Sequence, residues 1–505
     1  MAITAGSALN SVAASQKQTL ATNYIDFNQD MGWAQQYLPD LMEKEAEVFG
    51  PRTISGFLSQ VGAEEAMTAD QVIWSEQGRL HLSYKGNVNS ATAGADPGTG
   101  VSNIAQVTIE DDIDGNVGSG FTAASHGIRV NDTIIVSNSD GVFKCLVSVV
   151  NGAVLDVLPY GSSALSANTT SKGTTILVYG SEFGKGQSYV AAAGTTNTTD
   201  QRGANEPTFK TFDNKPIIIK DYYEVSGSDV SRIGWIEVAS EGGQTGYMWY
   251  LKAEADTRAR FTDYLEMAML EGELAVAASE VPGATIAPSS TLNTADTAGT
   301  EGLFAAIESR GNITSGVTGV TAATDLAEFD AILAEFVNQG AIEENMMFVN
   351  RGTSLAIDDM LASMNSYGAG GTSYGVFDNS EDMALNLGFS GFRRGSYDFY
   401  KSDMRYLNDK ATRGGINTAA GSEAIRGVIV PAGTSTVYDQ MLGKNLKRHF
   451  LHVRFRASQT DNRRMKSWVT GSVGAATTAL DAMQMHFLSE RCLITQGANN
   501  FMLMK

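Results

Sequence analysis

The chain has 505 residues, of which 43% are hydrophobic and 18% charged, and its formal net charge is −20. This composition excludes a disordered chain, and the acidity argues against general nucleic-acid binding, because an acidic surface repels phosphate. The two cysteines exclude a disulfide framework and a zinc-finger pattern. No run approaches the roughly 18 apolar residues of a membrane span. The N-terminus lacks the basic and apolar regions of a signal peptide, so we expect a cytoplasmic protein.

The first part of the chain reads as an arm followed by a strand. Residues 1–60 begin with small polar side chains and contain a short helical piece broken by Pro39. Residues 70–86 carry β-branched and aromatic side chains between polar ones, which predicts a strand. We expect a polar linker, rich in Gly, Ala, Asn and Thr, over residues 87–103.

Residues 104–182 predict a small antiparallel barrel or sandwich of five strands, because five short apolar runs follow at close spacing. Asp-Gly at 140–141 and Asn-Gly at 151–152 separate successive runs, and such pairs are the strongest short signals of a hairpin. Cys145 lies on the apolar side of an alternating run. We therefore expect it in the core.

This β unit ends in a second polar linker, residues 191–207, and residues 208–225 again read as strand. That strand could pair with residues 70–86. Two linkers around a self-contained unit, between two matching strands, predict a domain inserted into a hairpin. Such insertion is tolerated where the chain ends lie close together.

Residues 247–274 have no proline and one glycine and predict a single helix of about 42 Å. Small and apolar side chains recur on one face at steps of three or four. This stripe consists of Tyr247, Leu251, Ala255, Ala259, Thr262, Leu265 and Met269.

Residues 283–440 alternate helix and strand and predict a compact α/β unit. One of its helices is expected to begin at Asp325 as N-cap, with Glu328 three positions later, and to end at Gly340 as C-cap.

The last part of the chain returns to strand and is basic. From Met441 to Lys505 there are ten Lys/Arg and three Asp/Glu, whereas the chain as a whole is acidic. In residues 451–456 apolar positions alternate with His452, Arg454 and Arg456, which predicts a half-buried strand with a basic outer face.

Three patterns resemble catalytic or metal sites, and each lacks the context that its chemistry needs. Residues 371–375 match G-x-S-x-G around Ser373, but lie in a glycine-rich loop without the strand and helix of a nucleophile elbow. Residues 110–118 lack the later ligands of a calcium loop. His449 and His452 should point to opposite faces of a strand. We therefore expect no catalytic residue, no metal and no cofactor.

The order of arm, interrupted hairpin, long helix, α/β unit and returning strands resembles the major capsid protein of tailed bacteriophages, with the Hong Kong 97 capsid fold. That family has an N-terminal arm, an E-loop hairpin, a peripheral (P) domain with a long spine helix, and an axial (A) domain. The stretches YIDFNQDMGWAQQYLPDLMEKEAEVFGPRT and ADQVIWSEQGRLH look like those of crAss-like gut phages.

The resemblance implies an α+β fold of the Hong Kong 97 type with an inserted small antiparallel β-barrel domain. The implied divisions are an N-terminal arm at 1–60, E-loop strands at 61–86 and 205–235, an inserted β domain at 87–204, a P-domain spine helix at 236–282, an A-domain at 283–440 and P-domain return strands at 441–505. The apolar stripe of the helix should then pack on Leu451, Val453 and Phe455 of the P-domain sheet.

The resemblance further implies a subunit that self-assembles into hexamers and pentamers of an icosahedral shell around double-stranded DNA, without sequence-specific binding. Portal and decoration proteins would be its other partners, and the shell would assemble in the host bacterial cytoplasm. The barrel would lie on the exterior. A cleaved scaffolding segment is not expected, because no long charged helix precedes the arm.

Contacts between subunits are expected from the first E-loop strand and from the basic C-terminal part, whose arginines and lysines should meet acidic residues of a neighbour. The candidates are Trp74, Glu76, Arg79, Lys447, Arg448, Arg454, Arg456, Arg463 and Arg464. Two alternatives stay open. One is a β-rich surface or tail adhesin that binds host glycans, and the other is a serine hydrolase using Ser373.

Overall fold

The computed structural model describes residues 56–58, 63–76, 78–93, 104–113, 126–161, 165, 167–186, 210–228, 238–239, 245–246, 248–274, 299–340, 342–364, 391–417, 424–432, 434–439, 444–472 and 477–505. Most of the predicted arm, the second linker and the motif around Ser373 lie outside these residues. The chain forms two compact units. Ser75–Thr211 is the barrel unit, and Met1–Trp74 with Phe212–Lys505 is the main unit.

The described strands and helices follow in chain order. The strands are β1 (Ala63–Met67), β2 (Val72–Glu76), β3 (Ser83–Ala93), β4 (Ile104–Asp112), β5 (Asp132–Asn138), β6 (Gly141–Asn151), β7 (Val154–Pro159), β8 (Thr174–Ser181), β9 (Lys210–Asn214), β10 (Ile217–Ser226), β11 (Val238–Ala239), β12 (Thr245–Gly246), β13 (Asn312–Thr314), β14 (Glu344–Val349), β15 (Gly391–Arg394), β16 (Tyr397–Asp403), β17 (Gly427–Pro431), β18 (Thr434–Asp439), β19 (Lys444–His449), β20 (Leu451–Arg456), β21 (Lys466–Gly471), β22 (Ala482–Thr495) and β23 (Met502–Met504). The α-helices are α1 (Met248–Glu271), α2 (Leu303–Arg310), α3 (Ala322–Gln339), α4 (Arg351–Met364), α5 (Arg405–Asn408) and α6 (Arg413–Asn417).

The barrel unit is a closed barrel in the order β3-β4-β7-β6-β5-β8. Alternate residues of its strands point inward and form one apolar cluster, which includes Val107, Ile134, Cys145 and Val157. The β5–β6 and β6–β7 hairpins confirm the two turn predictions. Cys145 is fully buried, as expected, and burial raises the pKa of its thiol to about 12.

The prediction of five barrel strands was wrong, because the expected linker at 87–103 begins as part of a sixth strand, β3. Tyr84 and Val88 of β3 are buried in the barrel core. The polar residues between them hide this alternation in the sequence. Gly86 lets β3 approach β4 closely, since a Cβ there would lie 1.9 Å from the carbonyl oxygen of Thr108.

The two expected E-loop strands pair only in part. β2 pairs with β9, but β10 pairs antiparallel with β22 instead of continuing that ladder. β10 alternates half-buried and exposed residues, and its half-buried face, which includes Ile219, packs in a cluster with Phe261 and Leu265 of α1. The gain in buried apolar surface accounts for this pairing.

The main unit contains a five-stranded sheet in the order β1-β20-β22-β10, with β21 also paired to β22. Helix α1 packs on β10 and β22. Its buried positions include Thr257, Phe261, Leu265 and Met269. Met269 lies in the same apolar core as Leu451 and Val453 of β20, while the expected direct packing of the helix stripe on these two residues stays a prediction.

The predicted stripe on α1 was wrong at Ala255 and correct at Leu265 and Met269, whereas Tyr247 and the side chain of Leu251 lie outside the described residues. Ala255 is exposed and Thr262 is only half-buried, whereas Thr257 and Phe261 are buried. Phe261 and Leu265 are four residues apart and so share one face of the helix. Their large side chains bury that face against the sheet, and the face that carries Ala255 turns away from it. Phe455 is half-buried and lies outside the cluster that holds Met269.

A second sheet of six strands, in the order β13-β23-β17-β14-β16-β15, forms the α/β part. Helices α3 and α4 cover it through a cluster that contains Phe329, Phe336 and Ile357. β23 lies between β13 and β17, so the end of the segment predicted as P-domain strands belongs to this sheet.

The ends of α3 differ in part from the expectation. Gly340 is the C-cap with φ +67°, as predicted. Thr321 is the N-cap in place of Asp325, because its hydroxyl accepts a hydrogen bond from the Thr324 N–H at 3.2 Å. Asp325 lies in the first turn and accepts from the Gly319 N–H at 2.8 Å.

Candidate interaction surface

The N-terminal strand β1 lies at an edge of the five-stranded sheet and runs parallel to β20. Glu65 stands opposite Arg454, and Met67 stands opposite Arg456. Met67 is buried against Cys492 and Ile494 of β22. In this register Met67 reaches the apolar cluster and Glu65 lies beside Arg454.

Ion pairs join β1 to the later strands. An Nη of Arg454 lies 2.9 Å from a carboxylate oxygen of Glu65, and both side chains are partly exposed. Arg464 pairs with the neighbouring acid, Glu64. An Nη of Arg491 lies 4.0 Å from the other oxygen of Glu64. Each of the two acids of β1 is thus paired with an arginine from the C-terminal part of the chain.

Glu490 is the most buried acid of this group, with 5% of its side chain exposed. Its carboxylate lies 2.7 Å from Nε of Arg456 and also pairs with Arg463. Arg456 pairs in addition with Asp70. One buried carboxylate is thus shared by two arginines, which is the arrangement that compensates the loss of its hydration.

Two charged side chains near these ion pairs are buried, namely Arg491 of β22 and Glu266 of α1. The guanidinium of Arg491 donates to Oγ of Ser489 at 2.9 Å and to the carbonyl of Arg464 at 2.8 Å, and burial lowers its pKa. Glu266 of α1 accepts from the N–H groups of Gly56 and Leu58, at 3.0 and 3.4 Å. Burial raises the pKa of Glu266, although these hydrogen bonds act in the opposite direction.

Glu266 therefore fastens residues 56–58 to the long helix, and the pairs of β1 fasten residues 63–67 to the sheet. We call β1, its ion-pair partners and the Glu266 contacts the N-terminal anchor. A stretch of chain that leaves this anchor starts from a fixed position on the main unit.

Four of the predicted contact residues belong to this anchor, each paired with an acid of the same chain: Arg454, Arg456, Arg463 and Arg464. Their predicted contact with a neighbouring subunit stays a prediction. Lys447 and Arg448 lie in β19, which pairs with β18.

Trp74 lies in the apolar cluster that also holds Met67 of β1, with 7% of its surface exposed. Its ring lies 6.2 Å from that of Phe212, and the guanidinium of Arg310 lies 5.5 Å above it. Little surface of the Trp74 indole is therefore exposed for contact with a neighbouring subunit. Glu76 is half-buried and Arg79 exposed.

Sequence reasoning missed the acids of the anchor. Glu64 and Glu65 form an acidic pair just before the first predicted strand, and this pair was the available signal. The sequence around Glu490 and Glu266 contains no such signal, because a single acidic residue within an apolar run does not indicate which residue it pairs with.

The described part of the chain contains no group of three or more His, Cys, Asp or Glu side chains placed to hold a metal ion. In that same part, no helix has both the length and the apolar character needed to cross a membrane.

A scan of protein-family models and a search of curated proteins give no match to this chain. Among solved structures, the chain is similar to one from Microbacterium phage Oxtober96, with 8% identity, a TM-score of 0.37, and coverage of 92% of this chain and 95% of that one. It is also similar to the mature capsid of bacteriophage PhiM1, at 10% identity and a TM-score of 0.31 over 62% of this chain and 78% of that one. The capsid of Cyanophage P-SCSP1u gives 11% identity and a TM-score of 0.30 over 62% and 79%. The structural neighbours of this chain thus include phage capsids.

Proposed function

We propose that the chain is the major capsid protein of a tailed bacteriophage, with the Hong Kong 97 fold and close to the crAss-like phages. As such it would assemble into hexamers and pentamers of an icosahedral shell that encloses double-stranded DNA. It would contact portal and decoration proteins and would assemble in the bacterial cytoplasm.

One observation carries the proposal, and it is the connectivity of the main unit. The early strand β1, the strand β10 and the late strands β20, β21 and β22 build one sheet, and the long helix α1 packs on it through β10 and β22. Five strands of the separate α/β sheet lie between these parts in sequence, and its sixth strand, β23, follows β22. The resemblance implies this order for P-domain, A-domain and returning P-domain strands.

The N-terminal anchor supports a role in assembly. An arm that leaves a subunit from a fixed strand can reach a neighbour in a defined direction. Its ordering on a neighbour would also link folding to binding, since an arm alone buries too little apolar surface.

The outer face of the five-stranded sheet offers a second contact region. Tyr222, His486 and Trp468 stand side by side on three neighbouring strands, with ring centroids 5.9 and 5.1 Å apart. Tyr222 is 55% exposed and Trp468 36%. Exposed aromatic rings in a row are typical of protein interfaces.

Electron microscopy of the protein, purified alone and co-expressed with the other structural proteins of its phage, tests the proposal. We expect hexamers, pentamers or closed shells. A protein that stays monomeric and monodisperse under every condition would contradict the proposed function.

A further inference from the structure

An open recess of about 460 Å³ lies on the outside of the barrel. The recess is shallow and open to solvent, so a ligand in it would be covered on one side only. It is lined by Thr133, Lys144, Tyr160, Tyr179, Ser181 and Glu182. Because Ile134, Cys145 and Val178 point toward the core, their neighbours in sequence point outward into this recess.

A β-bulge places one of the two tyrosines. Thr133 pairs with Gly180 while Ile134 pairs with Val178, so Tyr179 is an extra residue that has no paired residue on β5. Bulges re-aim side chains and are frequent beside binding sites. Tyr179 remains 50% exposed. The irregularity of the ladder thus presents an aromatic ring to solvent.

The second tyrosine is held in place by the backbone and by an acid. The Tyr160 N–H donates to the carbonyl of Lys144 at 3.0 Å, and its hydroxyl donates to the carboxylate of Glu182. The Glu182 N–H in turn donates to the carbonyl of Asn131 at 2.9 Å. Asn131 has φ +69°, a left-handed conformation that fixes this turn. The ring of Tyr160 is also 50% exposed.

The charges of the recess indicate which ligand fits. Lys144 and Glu182 carry opposite charges, so the recess favours neither an anion nor a cation. Two exposed rings provide flat apolar surfaces with polar tips. The carboxylate, the ammonium and the hydroxyls of Thr133 and Ser181 can exchange hydrogen bonds with a ligand rich in hydroxyl groups.

We infer that this recess is a binding site for a neutral saccharide. The apolar C–H face of a sugar ring packs on Tyr179 or Tyr160, and Glu182 accepts hydrogen bonds from neighbouring hydroxyls. Lys144 donates to a hydroxyl or ring oxygen. All of the lining residues belong to the barrel unit of a single chain, so binding can be measured on the unassembled protein.

Saturation-transfer NMR on the full chain, with free glucose, galactose, mannose and N-acetylglucosamine as probes, tests the inference. We expect transfer to at least one of these sugars and a loss of affinity of at least tenfold in Tyr179→Ala and in Glu182→Gln. Tyr160→Phe keeps the ring and removes the hydroxyl, so a smaller loss is expected.

Tyr400→Ala is the matched control, since Tyr400 is 54% exposed and lies in the main unit. It should leave the transfer unchanged. Absence of transfer to all four sugars at millimolar concentration would overturn the inference. So would transfer that survives both Tyr179→Ala and Glu182→Gln in folded protein. Shell formation is measured separately, so failure here leaves the proposed function standing.

Discussion

At the scale of single residues, the buried carboxylate of Glu490 is the shared ion-pair partner of Arg456 and Arg463. We expect Glu490→Gln to lower the free energy of unfolding by about 2–3 kcal/mol, because Arg456 and Arg463 lose the charge that compensates them. Calorimetric melting measures the effect. Asp461→Asn removes an exposed partner of Lys466, 2.8 Å away, and should change the midpoint little. Equal shifts in the two variants would contradict this role of Glu490.

Glu266 should make stability depend on pH. Its pKa in the folded state is raised by burial above the usual 4.5, so the folded state binds its proton more tightly than the unfolded state does. The stability from this group is therefore fully present below the unfolded pKa and is lost as pH rises through the folded pKa. We expect the melting midpoint of wild type to fall relative to that of Glu266→Gln as pH rises from about 4 to about 7. A difference that stays constant over this range would refute the assignment.

At the scale of elements, the contact between β3 and β4 depends on Gly86. An added Cβ would meet the Thr108 carbonyl oxygen at 1.9 Å, and this backbone atom cannot rotate away. We expect Gly86→Ala to destabilise the barrel by about 1–3 kcal/mol and to speed hydrogen exchange of the β4 amides. Gly78→Ala is the control, since no atom lies within 4 Å of its added Cβ. Unchanged exchange in Gly86→Ala would show that the strands can separate without cost.

The sequence was sufficient for elements that carry their own local pattern. The hairpins at 140–141 and 151–152, the C-cap Gly340 and the long helix α1 are set by neighbours in the chain. β3 was missed because Gly86 and the polar residues around Val88 act through Thr108, on another strand. Register and partner choice depend on contacts distant in sequence, which no local period records.

The same limit applies to the anchor. The basic face of β20 was visible as alternating arginines, but its partner Glu65 is 389 positions away in the sequence. The sequence indicated the sign of the partner's charge. The structure places that partner in the same chain.

At the scale of the whole molecule, assembly should depend on the anchor. Under the proposed function, we expect Arg454→Glu to abolish shells, because it sets two carboxylates side by side where β1 meets β20. Adding Glu65→Arg in the same chain should restore them. Arg393→Glu reverses a 63% exposed charge of the other sheet, and we expect normal shells from it. Sedimentation and electron microscopy measure the yield, and normal shells from Arg454→Glu alone would exclude the anchor from assembly.

The place of β23 between β13 and β17 has a consequence for the order of synthesis. β17 ends at Pro431, and β23 begins only at Met502. At about 5–20 residues per second, the ribosome needs roughly 4–14 s to make the residues between them. During that time two strands of the nascent sheet present unpaired edges, which are templates for wrong pairing. We therefore expect the nascent chain to be most prone to wrong strand pairing in the interval between the synthesis of β17 and that of β23.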